Sequence, residues 1–532
     1  MQEIRRAVSS IESPMARRVI LACTLGTTCE WYDFFLYATL APFFAALFFP
    51  GDNRAAAMLS TLATYTAGFL VRPLGGLLFG RLGDRIGRKY IVLLTVMLMG
   101  AATFSIGCLP PYSAIGAAAP VILVLLRIVQ GLALGGEYGG SAIYVAEFFP
   151  RGQRSFATSW VQTTATLGLL LALSAVMVMR SVMSSADFAL YGWRLPFLLS
   201  AVLFAGSFIA RLRLPESPVF EKLRVDNAVS LHPMKDAFLS RGSVGLLSLA
   251  LFGACAGQGV VWYCGQYYAF YFMTTTLHLA ETDVYLLLGG ALLAVMPLFL
   301  VVGVLADRYG RLRFIAAGCA LATVLTIPLF QRLTEAINPD LVAWQKAHHV
   351  VLTAEDCHFH VFVGPWSQFT PCDEAKSLLA GHGISFDITD AEPGSIITVQ
   401  IDQETIVGFQ PDEIDATLLR SGFHPQADPA KVHHFAAFMV LFALAVMVTM
   451  VYGPIAAFLV GLFPPEYRYT AFSLPYHIGN GVFGGVLPLV SAALVAYFGD
   501  IFAGLYYPVI VAGITALVGA FFLRKRRQQL QR

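Results

Sequence analysis

Twelve apolar runs, each long enough to cross a hydrocarbon core of about 30 Å, constrain this 532-residue chain more than any other feature. They lie at roughly 19–48, 56–79, 90–110, 118–146, 155–179, 192–213, 243–275, 283–306, 314–333, 435–462, 470–497 and 501–523. Backbone in contact with lipid has no water to bond, so a spanning run must satisfy its own N–H and C=O groups as a helix or within a closed barrel. The alternation of barrel strands is missing, which leaves an all-α polytopic membrane protein with twelve transmembrane helices. Composition agrees: 13% of residues are charged, against roughly 25% in soluble domains. The first run follows a basic segment (Arg5, Arg6, Arg17, Arg18), is too long for a signal-peptide core and lacks a small-residue cleavage site. It reads as the first span.

Basic residues gather in alternate connections. One set holds Arg81, Arg85, Arg88 and Lys89, then Arg151 and Arg154, the stretch from Arg211 to Arg241, Arg308 to Arg313, Arg468 and the tail from Arg524 to Arg527. The opposite connections hold little beyond Arg54 and Arg180. The positive-inside rule then places both termini in the cytoplasm. The expected organisation is a six-helix bundle over 1–213, a cytoplasmic linker over 214–242, and a second six-helix bundle from 243–334 with 435–532. A polar segment, 335–434, interrupts the second bundle, and parity puts it outside. Strand-like stretches at 384–388, 396–401 and 405–409, with helix-like ones at 373–380 and 411–421, predict a small α+β insert there.

Cysteine usage follows that map. Cys23, Cys29, Cys108, Cys255, Cys264 and Cys319 fall in spans and read as small buried apolar residues. Cys357 and Cys372 are the pair in the insert, where thiols oxidise, so a disulfide between them is expected. His358 and His360 beside Cys357 suit a metal, yet histidines alternating along a strand are usually surface residues, and no metal is expected.

A charged phrase occurs twice between apolar runs. It reads Gly80-Arg81-Leu82-Gly83-Asp84-Arg85-Ile86-Gly87-Arg88-Lys89 and, about 220 residues on, Gly303-Val304-Leu305-Ala306-Asp307-Arg308-Tyr309-Gly310-Arg311. Two copies imply duplicated halves, as in carriers that rock about a midplane site. The phrases read as gates, with Gly80, Asp84, Arg85, Gly87 and Arg88 in the first and Asp307, Arg308, Gly310 and Arg311 in the second. Asp84 at a helix end is neutralised by Arg85, Arg88 and the N-terminus of a neighbouring helix, in a cluster that breaks in the other state. Three residues separate Gly83 from Gly87 and no Ser or Thr follows Lys89, so this is no phosphate loop. With no nucleophile–base or metal constellation inside the membrane, an enzyme is excluded, and neither cofactor nor nucleic-acid partner is expected. The proton gradient is the energy source.

Ionisable residues inside the apolar runs carry the chemistry. Glu30 and Asp33 share one face of span one at i, i+3 spacing. Burial favours the neutral form of a carboxyl group, the property a proton carrier uses, so proton coupling through at least one of them is expected, with Asp33 ahead of Glu30; the other reading is that both pair with arginines to hold helices together. Arg127 in span four can pair with Asp33 or Glu30, and Glu137 is a further intramembrane acid; these four are the candidate coupling residues. Arg72 and Arg127 suit a substrate carboxylate through paired hydrogen bonds. Tyr37, Gln130, Tyr138, Gln258, Trp262, Gln266, Tyr267, His477 and Asn480 complete the candidate pocket, with Gln258, Trp262 and Gln266 on one helical stripe of span seven. Glu147, at the end of span four, reads as a latch.

The chain resembles the major facilitator superfamily over nearly its whole length, and within it the metabolite:proton symporters that carry α-ketoglutarate, citrate, shikimate or proline/betaine. The resemblance rests on the repeated phrase, Glu30 to Tyr37, Arg72 to Gly76, Arg127 to Gly140, Pro215 to Pro218 and Arg468 to Thr470. It implies two six-helix bundles, alternating access and proton-coupled uptake of a small metabolite across a bacterial inner membrane. Antiporters of the superfamily carry a Gly-Pro phrase in span five; Thr163 to Leu171 has Gly168 and no proline, which favours symport. An antiporter exporting a metabolite or drug, and a receptor that senses a solute through the insert, are the alternatives. Such a long insert departs from the family, and its partner stays open.

Overall fold

The computed structural model describes residues 13–49, 64, 68–240, 242–355, 357–360, 369–392 and 394–531. Most of the first half of span two, with Arg5, Arg6, Arg54 and Arg241, lies outside them. Two helices open the described chain, α1 (Pro14–Thr39, continued by Ala41–Phe48) and α2 (Arg72–Ile86). Ten more are long and apolar enough to cross a membrane. These are α3 (Arg88–Cys108), α4 (Ala118–Phe148), α5 (Arg151–Val182), α6 (Arg194–Leu212), α7 (Ser243–Thr276), α8 (Glu281–Tyr309), α9 (Arg311–Ile337), α10 (His434–Leu462), α11 (Arg468–Phe498) and α12 (Ala503–Arg524). In α1, Glu30 and Asp33 interrupt an otherwise apolar run.

Helices α1 to α6 pack chiefly on one another, as do α7 to α12; the two groups meet where α2 lies on α11 and α5 on α8. Small residues set the closest approach. A Cβ on Gly131 would come within 2.0 Å of the Gly68 carbonyl oxygen, and one on Gly135 within 2.3 Å of the Arg72 carbonyl oxygen. Backbone therefore touches backbone along the α2–α4 crossing, and that proximity buries the polar side chains beside it. Helices α7 and α11 contain π turns at Leu251–Cys255, Cys264–Tyr268, Phe272–Thr276 and Ile478–Gly484. Each admits an extra residue and re-aims the side chains that follow, a device found at functional sites. Here it brings Gln258 of α7 against Asn480 of α11.

Each copy of the repeated phrase ends one helix and starts the next at a glycine with positive φ: Gly87 (φ 121) between α2 and α3, and Gly310 (φ 108) between α8 and α9. A side chain is strained there, so this corner needs glycine.

Between α9 and α10 the chain forms a separate layer. Helix Pro339–Ala347 leads to β1 (Val350–Ala354), helix Pro371–Gly381, β2 (Asp387–Asp390), β3 (Thr398–Ile401), β4 (Glu404–Val407) and helix Pro411–Arg420. The sheet order is β2-β1-β3-β4, with β1 parallel to β2 and the other pairs antiparallel. Leu352 faces Ile388 on one side and Val399 on the other, and Val399 faces Ile406. Leu352, Val399, Leu379, Ile414 and Leu418 are buried in the core of this unit. It sits on the ends of α7 and α11: the Phe386 N–H donates to the Gly499 carbonyl at 2.7 Å, and Gly383 lies against the Thr276 carbonyl. Strand β1 and helix Pro339–Ala347 had no counterpart in the sequence reading, because α9 runs on to Ile337 and β1 has five residues. Cys357 and Cys372 are joined, with Cα atoms 5.3 Å apart. Of the six cysteines assigned to spans, five are buried; Cys108, at the end of α3, is exposed instead.

Candidate functional site

Two polar stripes face each other inside the first helix group. On α1 the residues are Cys23, Gly26, Glu30, Asp33 and Tyr37; on α4 they are Arg127, Gln130, Leu134, Glu137 and Ser141. Steps of three and four keep each set on one helix face. All of these side chains are buried. At one end Arg127 Nη1 donates to Gln130 Oε1 at 2.9 Å, and Gln130 Nε2 donates to Asp33 Oδ2 at 2.7 Å and to Thr103 Oγ1 at 3.0 Å. The Arg127 guanidinium also lies over the Tyr37 ring, 4.2 Å from its centroid. Arg127 was expected against Asp33 or Glu30; Gln130 stands between it and Asp33, because it is one turn along the same face of α4.

At the other end of the seam Glu137 leaves that cluster. It forms an ion pair with Arg211 of α6 and accepts from Thr95 Oγ1 at 2.7 Å and Ser141 Oγ at 2.9 Å. Arg211 also donates to the Ala22 and Cys23 carbonyls and to Ser141 Oγ. Counting Arg211 among loop charges missed this role. Its position inside the sixth apolar run, opposite an intramembrane acid without a partner, was the available signal. Between the two ends lies Glu30, wholly buried, with no hydrogen-bond partner on either carboxylate oxygen among the described residues. Arg211→Met is expected to destabilise the protein by about 3 kcal/mol, because it strands the Glu137 charge. Arg211→Met combined with Glu137→Leu is expected to recover most of that loss, read as the thermal midpoint in detergent.

The remaining candidates meet where the helix groups touch. Trp31 of α1 packs on Trp262 of α7 with centroids 5.5 Å apart, Phe35 on Tyr267 at 6.5 Å, and Tyr138 stacks on Tyr476 at 4.3 Å. Gln162 Nε2 donates to Tyr138 Oη at 2.6 Å. Arg72 opens α2 with its guanidinium 5.4 Å from the Phe69 centroid. His477 packs against Gly76, and neither ring nitrogen has a hydrogen-bond partner among the described residues. Gln266 is buried on α7. Gln258 and Asn480, expected to face a substrate, exchange amide hydrogen bonds with each other at 3.1 and 2.9 Å. Aromatic contact thus fills the region expected to be the candidate pocket.

The repeated phrases make matching contacts between the two helix groups. Asp84 is buried and accepts the N–H groups of Tyr469 (3.1 Å) and Thr470 (2.9 Å), as well as Thr470 Oγ1 (2.8 Å). A carboxylate of the first helix group thereby caps α11 of the second. Asp307 does the reverse, accepting the Ser155 and Phe156 N–H groups of α5 at 3.1 and 3.0 Å. Arg88 lies 3.2 Å from Asp84 and donates to the Pro465 carbonyl across the interface; Arg311 lies 2.7 Å from Asp307 and donates to Ser155 Oγ and the Ala457 carbonyl. Gly80 and Gly83 permit the approach, since a Cβ on Gly83 would enter the Tyr469 ring. Arg85 and Arg308, expected in the gates, are both exposed. At i+1 from the carboxylate they sit about 100° round the helix, whereas Arg88 and Arg311 at i+4 return to its face. Glu147 bridges further, 2.8 Å from Arg468 and 3.6 Å from Arg88. Glu216 accepts the N–H groups of Arg88 and Lys89 at the start of α3; burial pushes its carboxyl above the ordinary range against those bonds and that of Ser217.

Comparison with known proteins points the same way as the geometry. The sequence pattern of the Major Facilitator Superfamily matches residues 23–336. The shikimate transporter of Escherichia coli (strain K12) is 35% identical over 385 residues, covering 71% of this chain and 85% of that protein. The proline/betaine transporter of the same strain is 34% identical over 331 residues, 61% of this chain and 66% of that one. The alpha-ketoglutarate permease is 34% identical over 336 residues, 63% and 76%. Among solved structures, the proton:xylose symporter XylE bound to 6-bromo-6-deoxy-D-glucose superposes with a TM-score of 0.62 at 17% identity, covering 96% of each chain. That last likeness is one of fold.

Proposed function

This chain belongs to the Major Facilitator Superfamily, among its metabolite permeases, and from that premise we propose that it imports a small organic acid or zwitterion together with protons. It is a multi-pass membrane transporter and not an enzyme, driven by an ion gradient without a cofactor. Twelve spans in two six-helix bundles, both termini in the cytoplasm of a bacterial cell and a compact α+β insert outside its inner membrane complete the reading. Basic residues at the ends bearing Asp84 and Asp307 support that orientation.

The observation that carries the coupling is the setting of Asp33. It is wholly buried, takes one hydrogen bond from Gln130 on Oδ2, and has none on Oδ1 among the described residues. A charged carboxylate there is poorly compensated for lost water, whereas a neutral one needs less. Loss of its proton tightens the pull of Asp33 on Gln130 and so on Arg127; gain of a proton releases it. Arg127 then turns to the anionic group of a substrate, with Arg72 as the second cation and the Tyr138, Trp262 and Tyr476 rings as walls. Glu30, one turn away and without a hydrogen-bond partner among the described residues, is a second proton site on the same seam.

Purified protein in vesicles, given an inward proton gradient and a panel of labelled carboxylates and betaines, tests this. One chemical class is expected to accumulate in proportion to the gradient. Proton influx coupled to solute efflux would assign an exporter instead, and transport unaffected by the gradient would end the coupling proposal.

A further inference from the structure

We infer that the insert carries a divalent-metal site suited to zinc, built from His358, His360 and Asp373. Asp373 stands in the first turn of helix Pro371–Gly381, and backbone holds its carboxylate: Oδ1 accepts the His358 N–H at 2.8 Å and Oδ2 the Thr370 N–H at 3.0 Å. The side chain is 3% exposed, so this is no solvated surface acid. His360 Nε2 lies 3.0 Å and His358 Nδ1 3.7 Å from the same Oδ2, and one donor atom from each of the three lies within 4.8 Å of the others. Ligands about 2.0–2.2 Å from a tetrahedral zinc stand about 3.4 Å apart, and the two separations bracket that value. Imidazole nitrogens favour zinc and its neighbours, whereas calcium and magnesium take sets of oxygen ligands. Three protein ligands leave a fourth position for water or a solute group.

The surrounding chain explains why these donors converge. The Cys357–Cys372 bond joins the residue before His358 to the residue before Asp373, so the histidines are tied to the helix N-terminus. His360 packs on the Phe369 ring at 4.8 Å, and Phe359 packs on Tyr497, at the end of α11, at 5.2 Å. Lys376, the cation one turn along the helix, is held over that same Tyr497 ring. Reading the two histidines as surface residues missed the third donor, which lies beyond the cysteine that brings it back.

The test uses the full-length protein in detergent, titrated with Zn²⁺ by calorimetry and with Co²⁺ by visible absorption. One ion per chain and the Co²⁺ spectrum of a tetrahedral site are expected, with affinity at least about tenfold weaker in His358→Ala/His360→Ala. That variant leaves the Asp373 cap in place, so lost binding does not come from a frayed helix. His433→Ala/His434→Ala, a histidine pair at the start of α10, is expected to bind as the wild type does. Failure of the wild type to bind one ion, or equal affinity in His358→Ala/His360→Ala, would overturn the site.

Discussion

With Asp33 replaced by asparagine, an inward gradient of one pH unit is expected to drive no accumulation beyond equilibration. In the wild type that gradient, about 1.4 kcal/mol per proton, supports about tenfold accumulation if one proton accompanies each substrate. Asparagine keeps an oxygen to accept from Gln130, which lies 2.7 Å from Asp33 Oδ2, so the α1–α4 seam should stay closed. What it loses is the choice between charged and neutral forms. Asparagine stands for the protonated state, and exchange of labelled for unlabelled substrate moves no net proton; exchange should therefore survive. Measuring both activities in the same vesicles separates the roles. Wild-type accumulation in Asp33→Asn would remove this residue from coupling. Loss of uptake and exchange together, with a lower thermal midpoint, would make it a structural residue.

Residues separated by one helical turn were legible in the sequence, and pairs from remote helices were not. The face shared by Glu30 and Asp33 follows from i, i+3 spacing, and ten of the apolar runs coincide with helices long enough to span, because lipid leaves the backbone no other partner. Gln130 was assigned to the pocket, but nothing in the sequence put it between Arg127 and Asp33; that needs the register of α1 against α4, which no spacing within either helix sets. Arg211 misled for a related reason. A basic residue near a helix end satisfies the positive-inside rule whether it reaches water or turns inward, and Glu137 decides which. In the insert, the parallel pairing of β1 with β2 comes from a crossover through helix Pro371–Gly381, and a five-residue strand among polar residues gives a weak periodic signal.

Asp84→Ala is expected to open the end of the protein that the two gates close, and Asp307→Ala to do the same through the other pair of helices. Each aspartate accepts two backbone N–H groups of a helix in the other helix group and neutralises a buried or half-buried arginine. Losing a cap costs about 0.5–2 kcal/mol, and breaking a buried ion pair up to about 3–5. Arg88 keeps the Gly83 and Pro465 carbonyls, so a net shift of about 2–4 kcal/mol per gate is reasonable. That changes the closed-to-open ratio at least tenfold, given about 1.4 kcal/mol for each factor of ten. The reporter is Ser473→Cys on α11, buried between Gly76 and Gly139 at the same interface, with exposed Cys108 removed as Cys108→Ser. Its reaction with a water-soluble thiol reagent should be slow while both gates hold and at least about tenfold faster in either variant. The gates share no residue, so in the double variant the two effects should add to within about 0.5 kcal/mol. Arg85→Ala supplies the contrast: the repeated phrase includes Arg85, but its side chain is exposed, and its loss should leave the labelling rate unchanged. A rate that rises with Arg85→Ala and not with Asp84→Ala would mean that net charge at this end, rather than the capped carboxylates, holds the bundles together.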